Sequence, residues 1–250
     1  MKIASIQKFS SKDWEGKISA VLFCYGCNLR CIYCHNPELI FPAKREEVPW
    51  EDVIEFLKTR QGKLDAVVFS GGEPTIYGDD FIERLKEVKE MGFLTGVHTS
   101  GTNRETLIKA LDHLDWIGYD IKCLPERYAE ITGSEKITNT DNPWITLREI
   151  LLLRQSKKVP EIEVRTTWRP GLFPEKELIE ISKRLVQMGI FEWCIQTLNE
   201  PISGIDMHYI DFPKLRKTKL SSFIPDYPKH LHPETAREIN QTGMGTIILR

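Results

Sequence analysis

Short strand-like runs alternate with amphipathic segments along most of the 250-residue chain. The predicted strands are rich in Val, Ile and aromatic residues, and they are Ile18–Phe23, Ala66–Ser70, Phe93–His98, Trp116–Ile121, Ile162–Thr167 and Trp193–Thr197. Strands that alternate with helices form parallel sheets with right-handed crossovers. The pattern therefore predicts an α/β fold, either doubly wound or curled toward a barrel. In both cases ligands bind at the carboxyl ends of the strands.

The segments between the strands carry helix start and stop signals. In Glu175–Met188 the apolar residues fall on one stripe, and Gly189 follows the last turn. Pro49 and the pair Asn142-Pro143 open two further helices. We expect residues 1–199 to form one domain. Residues 200–250, which contain five prolines, are expected to form an extension packed on it.

This extension shows few periodic runs. Within it, the sequence predicts only a short helix near Glu234–Asn240 and a terminal strand at Thr246–Leu249. We expect the extension to help select a partner.

Glycines and polar side chains gather where the predicted strands end. Four cysteines follow the first strand, and the sequence Gly71-Gly72-Glu73 follows the second. The remaining polar residues at strand ends are Ser100 after the third strand, Asp120 and Lys122 at the fourth, Arg165 on the fifth and Gln196 on the sixth. Because the carboxyl ends of parallel strands meet at one edge, these residues predict an active site built from several strands.

The composition narrows the class of protein. The formal net charge is -2, which gives no sign of a nucleic-acid-binding or membrane-surface protein. The longest uncharged stretch, Met91–Asn103, has 13 residues and is too short to span a bilayer. Charged residues interrupt the N-terminal region, so no secretory leader is recognised and a cytoplasmic location is expected.

Four of the six cysteines, Cys24, Cys27, Cys31 and Cys34, fall within eleven residues. In a reducing compartment such a cluster indicates a metal site rather than disulfides. A structural zinc site usually separates its two cysteine pairs by about a dozen residues or more, and here only three residues lie between them. A closed four-cysteine iron–sulfur cluster is the stronger alternative, although its usual spacing differs and a proline normally follows its last cysteine.

The inner triplet, Cys27-x3-Cys31-x2-Cys34, resembles the signature of the radical S-adenosylmethionine (radical SAM) superfamily. The resemblance implies a partial (β/α)6 barrel with parallel strands, in which the three thiolates hold a 4Fe–4S cluster and leave one iron open. That iron takes the amino and carboxylate groups of S-adenosylmethionine. One electron then cleaves the sulfonium to methionine and a 5'-deoxyadenosyl radical. Cys24 is interpreted as a small apolar residue that ends a buried strand.

The same resemblance suggests which residues bind S-adenosylmethionine. Tyr33 matches an aromatic position that lies against the adenine, and Gly71-Gly72-Glu73 matches an element that binds the methionine amino group. Contacts with the ribose, carboxylate or adenosine are implied for Ser100, Asp120, Lys122, Arg165 and Gln196. A salt bridge is the structural alternative for the charged residues, and a buried hydrogen-bonded amide for Gln196. His98 departs from the family, which often has an acidic residue there.

A narrower resemblance covers the first forty residues. Ile6–Ser10, Gly16–Ile18, Gly26–Cys31 and Cys34–Leu39 are similar to the activating proteins of anaerobic ribonucleoside-triphosphate reductase, a branch close to the pyruvate formate-lyase activases. The broader match extends to about Asn199.

The branch implies that the radical abstracts a hydrogen from one glycine of a glycyl-radical enzyme, here the reductase large subunit. It also implies an electron donor of the flavodoxin or ferredoxin type. With only Cys123 and Cys194 to spare, the chain has too few cysteines for the auxiliary clusters of some activases. Two other hypotheses stay open. One is a radical SAM enzyme acting on a small molecule, of the 7-carboxy-7-deazaguanine synthase type, and the other is a 4Fe–4S electron carrier.

Overall fold

The structure is a computed structural model that describes residues 1–41, 46–135, 137, 142–154, 156, 159–197 and 232–249. The chain forms two compact units, Met1–Arg165 and Thr166–Arg250. The predicted domain boundary between residues 199 and 200 lies outside the described residues and stays a prediction.

The first unit is built on a mainly parallel sheet. Its strands are β1 (Ile3–Ser10), β2 (Ser19–Cys24), β3 (Ala66–Gly71), β4 (Leu94–Thr99), β5 (Trp116–Asp120) and the first five residues of β6 (Glu161–Trp168). Neighbouring strands follow the order of the sequence, with β1 antiparallel to β2 and the other pairs parallel. A doubly wound sheet reverses its strand order at a switch point. Strands β2 to β6 show no such reversal.

The predicted strands are confirmed with ends within one residue of those observed. The strand β1 was not predicted, because its residues lack a clear alternation of polar and apolar side chains. Its backbone covers the edge of β2, which would otherwise be exposed.

Helices follow the strands of the first unit. They are α1 (Trp50–Lys58), α2 (Asp79–Glu90), α3 (Arg104–Ala110), α4 (Tyr128–Thr132) and α5 (Pro143–Leu153). The two predicted starts are confirmed: α1 follows Pro49, and at α5 the Asn142 side chain accepts a hydrogen bond from the Trp144 N–H. Helix α2 packs on β3 through Phe81, which is fully buried and meets the Phe69 ring edge-on at 5.5 Å.

The connection between β1 and β2 places Trp14 on the sheet. Its ring stacks on that of Trp116 with 5.4 Å between centroids, and both side chains are buried. Gly96 makes room for the pair, because a Cβ atom there would lie 3.1 Å from the Trp116 ring and 3.2 Å from the Trp14 ring. Burying two such rings stabilises the fold by several kcal/mol, at about 25 cal/mol per Å².

The second unit contains the end of β6 with α6 (Lys176–Gln187), β7 (Glu192–Thr197), α7 (Pro233–Gln241) and β8 (Thr246–Leu249). Strands β7 and β8 pair in parallel, and Trp193 donates a hydrogen bond of 3.0 Å from Nε1 to Thr166 Oγ1. The predicted helix Glu175–Met188 and the terminal strand are confirmed. In the described part of the chain, no helix has the length and apolar character needed to cross a membrane.

Candidate active site

The cysteine loop, residues 25–36, leaves the end of β2. Cys24 itself remains in the sheet, opposite Ile3 on one side and Gly71 on the other, and its side chain is fully buried. Cys31 is also buried, whereas Cys27 and Cys34 are half-buried. All four are free thiols. The structure thus separates Cys24 from the other three by its place in a strand.

Backbone contacts hold the cysteine loop on helix α4. The N–H groups of Arg30 and Ile32 donate to the Thr132 and Ile131 carbonyl groups at 2.7 and 3.1 Å. These carbonyl groups end a helix and would otherwise lack partners. The Arg30 guanidinium also donates to the Cys27 and Leu29 carbonyl groups at 2.7 and 2.6 Å. The shape of the loop is therefore fixed by the protein itself.

The two glycines after β3 let the cysteine loop approach. Gly72 N–H donates to the Cys24 carbonyl at 2.9 Å, and Glu73 N–H donates to the Gly26 carbonyl at 2.8 Å. A Cβ atom at Gly72 would overlap the Gly26 carbonyl oxygen, and Gly71 adopts a φ of +104° that favours glycine. The family resemblance assigned these glycines to an element that binds the methionine amino group. The structure shows that they first of all seat the cysteine loop.

The Glu73 carboxylate lies at the centre of a hydrogen-bond network and is 2% exposed. Its Oε1 accepts from the Thr75 N–H and from the hydroxyls of Thr75 and Thr99 at 3.3, 2.7 and 2.7 Å. Its Oε2 accepts from the Ser100 N–H and hydroxyl at 2.8 and 2.5 Å. Five protein donors thus satisfy a group with about four lone-pair sites. An ammonium ligand would have to share this carboxylate with them.

Thr75 and Thr99 were not predicted as site residues. Thr75 follows the Gly-Gly-Glu element, and Thr99 immediately precedes Ser100. For Thr75 the available signal was a hydroxyl two positions after a glutamate that follows a buried strand, since a buried carboxylate needs donors.

Asp120, Lys122 and Arg165 form a second charged cluster. Arg165 donates from Nε and Nη2 to Asp120 Oδ1 at 3.1 and 2.9 Å, and Lys122 Nζ lies 3.4 Å from Asp120 Oδ2. Burial raises the pKa of Asp120, but Arg165 and Lys122 outweigh this and hold that pKa below its ordinary value. The salt bridge considered as the alternative is present, although the Arg165 side chain is only 8% exposed. A buried ion pair of this kind is compatible with binding a polar ligand.

Tyr33 connects this cluster to the cysteine loop. The Lys122 Nζ atom lies 5.8 Å from the centre of the Tyr33 ring. The Tyr33 hydroxyl is buried and has no hydrogen-bond partner among the residues that the structure describes. Such an orphaned group is costly unless a ligand or water pairs with it.

The Glu73 network and the charged cluster that contains Lys122 both affect the pKa of Cys27. Burial raises the pKa of this thiol to about 12, the negative charge of Glu73 adds to the increase, and the positive charge of Lys122 opposes it. Burial also raises the pKa of Cys31 to about 11. Thiols must lose their protons to bind iron, so a bound metal would have to supply the compensating positive charge.

His98 lies on β4. Its Nε2 atom is 3.3 Å from Asp13 Oδ1, and its ring meets Trp116 edge-on at 5.2 Å. Burial, and then the positive charge of Arg165, lower the pKa of His98. Gly118 provides the space, because a Cβ atom there would lie 2.7 Å from His98 Nδ1 and 2.9 Å from the Arg165 guanidinium carbon. The residue that departs from the family pattern is thus paired with an acid from the β1–β2 connection.

Gln196 is the one predicted site residue in the second unit. It lies on β7 and is half-buried, and its Oε1 is 3.5 Å from the Thr167 hydroxyl. Its role toward a cofactor stays a prediction.

The residues present fit a cluster and a polar organic ligand. Among the described residues, no three His, Cys, Asp or Glu side chains come close enough together to bind one metal ion. A 4Fe–4S cluster places each thiolate on a different iron, so its ligands need not meet at one point. The orphaned Tyr33 hydroxyl is available to a ligand, and the positive charge of Lys122 acts on the Cys31 thiol.

Comparisons with known proteins agree with this site. Residues 21–142 match the family model described as the radical SAM superfamily. A protein of Methanocaldococcus jannaschii that is assigned to the glycyl-radical enzyme activating enzymes is 31% identical over 250 residues, covering 96% of this chain and 97% of its own. The pyruvate formate-lyase-activating enzyme of Clostridium pasteurianum is 35% identical over 140 residues, covering 54% and 58%.

Solved structures show the same fold. A domain of pyruvate-formate lyase-activating enzyme from Bacteroides vulgatus has a TM-score of 0.53 at 14% identity, covering 74% of this chain and 98% of that one. SuiB of Streptococcus suis, solved with S-adenosylmethionine, has a TM-score of 0.55 at 14% identity, covering 92% and 51%. The expected parallel α/β fold is confirmed. With a relative matched along almost its whole length, the chain belongs to the radical SAM superfamily, in the family of the glycyl-radical enzyme activating enzymes.

Proposed function

We propose that the protein uses a 4Fe–4S cluster on Cys27, Cys31 and Cys34 to generate a glycyl radical on an anaerobic ribonucleoside-triphosphate reductase. The family works with this cluster and with S-adenosylmethionine, so both are cofactors of this chain. When bound, the cluster supplies the electron that cleaves the sulfonium to methionine and a 5'-deoxyadenosyl radical. The place of Cys24 in strand β2, with the other three cysteines on the loop that follows, is the observation that carries the proposal.

The place of Cys24 supports three ligands rather than four. Its backbone pairs with β1 on one side and β3 on the other, and its side chain is fully buried. Three thiolates leave one iron without a protein ligand, and that open position is where the methionine part of S-adenosylmethionine would bind.

The polar clusters suit the remaining parts of S-adenosylmethionine. The backbone at Gly71–Glu73 and Ser100 lies beside the cysteine loop, where the methionine amino group would bind. Arg165 and Lys122 supply positive charge for its carboxylate, and Asp120 supplies an acceptor for the ribose hydroxyls. The Tyr33 ring offers an apolar face to the adenine, and the orphaned Tyr33 hydroxyl offers a donor.

The identity of the partner is the finer part of the proposal. It is supported by the similarity of Ile6–Ser10, Gly16–Ile18, Gly26–Cys31 and Cys34–Leu39 to activating proteins of that reductase. We infer that the substrate is one glycine of the reductase large subunit, which loses an α-hydrogen atom. A flavodoxin or ferredoxin would deliver the electron. The expected cytoplasmic location agrees with these partners and stays a prediction.

Anaerobic reconstitution with iron and sulfide tests the proposal. The reconstituted protein is reduced in the presence of S-adenosylmethionine and the reductase, after which 5'-deoxyadenosine and the glycyl radical signal are measured. Both products are expected. Absence of 5'-deoxyadenosine would rule out the proposed radical chemistry. Formation of 5'-deoxyadenosine without a glycyl radical would indicate that the enzyme acts on a different substrate.

Single cysteine variants test the ligand set. Replacing Cys27, Cys31 or Cys34 by Ala is expected to abolish the cluster absorbance and both products. Cys24→Ala is expected to keep them, and Cys123→Ala serves as a control for the loss of a buried thiol elsewhere. A Cys24→Ala variant without a cluster beside a Cys34→Ala variant with one would show that the ligand set is wrong.

A further inference from the structure

A row of polar side chains runs from the cysteine loop to Glu73. Asn28, next to Cys27, places its amide Nδ2 3.0 Å from the Thr102 hydroxyl. The Thr102 hydroxyl lies 3.0 Å from that of Ser100, which lies 2.5 Å from Glu73 Oε2. The row starts at an exposed residue and ends on a carboxylate that is 2% exposed.

The direction of the hydrogen bond is fixed at the Glu73 end of the row. The carboxylate of Glu73 accepts only, so the single proton of the Ser100 hydroxyl is donated to it. At the other end, both polar atoms of the Asn28 amide contact the Thr102 hydroxyl, Nδ2 at 3.0 Å and Oδ1 at 3.2 Å. Thr102 thus joins Asn28 to Ser100 and, through Ser100, to Glu73.

The first residue of the row sits in a turn that contacts a cluster thiol. The Leu29 N–H, directly after Asn28, donates to the Cys27 sulfur at 3.4 Å. This is a contact that lowers the pKa of Cys27, against the larger effect of burial. A change in the position of Asn28 would move the Leu29 N–H away from the sulfur.

We propose that Thr102 is a positioning residue for the cluster: it holds Asn28 so that the Leu29 N–H points at Cys27, and it anchors this turn on Glu73. The inference rests on the proposed role of Cys27 as a ligand. Hydrogen bonds to the sulfur atoms help to set the reduction potential of an iron–sulfur cluster. A donor to a thiolate stabilises the reduced, more negative cluster and raises that potential. Without the Thr102 hydroxyl the potential is therefore lower.

Three variants of the full chain test the proposal. Thr102→Val keeps the shape of the side chain and removes the hydroxyl, while Thr102→Ser keeps the hydroxyl. Thr106→Val, on helix α3 and outside the row, is the matched control. Iron content and the midpoint potential, from a redox titration followed by electron paramagnetic resonance, are measured on the reconstituted proteins. Hydrogen exchange at the Leu29 amide is measured on the cluster-free proteins.

Thr102→Val is expected to shift the midpoint potential to more negative values and to speed exchange at Leu29 about fivefold, the effect of one lost hydrogen bond. Thr102→Ser and Thr106→Val are expected to match the unmodified protein in both measurements. The proposal is overturned if Thr102→Val also matches it. The exchange result stands even if Thr102→Val binds no cluster. A Cys27→Ala variant with its full iron content would refute the proposed ligand set instead. The exchange rates measured at Leu29 in the cluster-free Thr102 variants would be unaffected by that outcome.

Discussion

Gly72 lies directly against the Gly26 carbonyl group, so that the end of β3 and the cysteine loop touch through their backbones. A Cβ atom at Gly72 would overlap the Gly26 oxygen and lie 2.6 Å from its carbonyl carbon. The neighbouring Glu73 N–H donates to that same oxygen at 2.8 Å. The loop carrying the predicted cluster ligands is thus placed by a contact that only glycine allows.

Gly72→Ala is therefore expected to displace the cysteine loop. The added methyl group meets backbone rather than a mobile side chain, so the loss of stability is expected to reach or exceed the 1–3 kcal/mol, roughly, of ordinary overpacking. The iron content after reconstitution should fall with it. Urea unfolding measures the loss of stability, and iron analysis measures the iron content.

The control for this variant is Gly62→Ala. Gly62 has a φ of +70° and nothing within 4 Å of an added Cβ atom, so only backbone strain of about 1–2 kcal/mol is expected, with full iron content. If Gly72→Ala binds as much iron as Gly62→Ala, the close contact does not position the loop.

The positions of the strands could be predicted from the sequence because each strand is a short apolar run bounded by turn residues. All six predicted strands lie within one residue of the observed ones. The strand β1 could not be predicted, since its pairing with β2 is a contact between backbones that its side chains do not encode. The alternation of strands and helices along the sequence was also compatible with a doubly wound fold. Only the observed order of the strands excludes that fold.

The candidate site was predictable by residue type but not by contact. Glu73 and Ser100 were expected as separate ligand residues, yet Ser100 donates two hydrogen bonds to Glu73. Likewise, Asp120 and Arg165 were expected on neighbouring strands, and their register places them opposite each other. Thr99 and Asn28 were missed because their contacts, with Glu73 and Thr102, join segments that are far apart in the sequence, and no local pattern contains those distances.

Glu73→Gln is expected to destabilise the cofactor-free protein by about 2–3 kcal/mol. The amide keeps the shape of the side chain but turns one acceptor into a donor, which then faces the hydroxyls of Thr75 and Thr99 or the donors of Ser100. Urea unfolding measures the difference. Glu83→Gln, an exposed change on helix α2, should leave the free energy of unfolding within experimental error. Equal stabilities of the two variants would show that the Glu73 network does not support the fold.

Tyr33→Phe separates a cofactor contact from a packing role. Its hydroxyl has no partner in the described part of the chain, so the cofactor-free protein should lose no stability. If the hydroxyl pairs with S-adenosylmethionine, its removal should weaken binding about fivefold, or about 1 kcal/mol. Unfolding in urea and anaerobic titration with S-adenosylmethionine give the two values.

The matched control is Tyr119→Phe, which removes a hydroxyl that donates to the Pro143 carbonyl at 2.7 Å. Here about 1 kcal/mol of stability should be lost while the affinity for S-adenosylmethionine is retained. A Tyr33→Phe variant that behaves like this control would show that the Tyr33 hydroxyl serves the fold.

His98 is expected to make the stability of the protein dependent on pH. Burial lowers its folded-state pKa below the ordinary value, so on acidification the unfolded chain binds a proton before the folded protein does. The contribution of His98 is fully present above about pH 6.5 and is lost as the pH falls from there through the folded-state pKa. Replacement of His98 by Gln should therefore flatten the fall of the unfolding free energy below pH 6.5, roughly, by up to about 1.4 kcal/mol per pH unit.

Urea unfolding at a series of pH values measures this slope. Burial lowers the pKa of His113 as well, but this residue is only half-buried, in a short helical turn beside Asp112, so His113→Gln should change the slope less than His98→Gln. Two neighbouring charges act on His98 in opposite directions, since Arg165 lowers its pKa and Asp13 raises it. If Asp13 held His98 in its protonated form in the folded protein, the loss of His98 would steepen the fall instead. An unchanged slope in His98→Gln would mean that the ring titrates alike in the folded and unfolded chain, which its burial against Trp116 argues against.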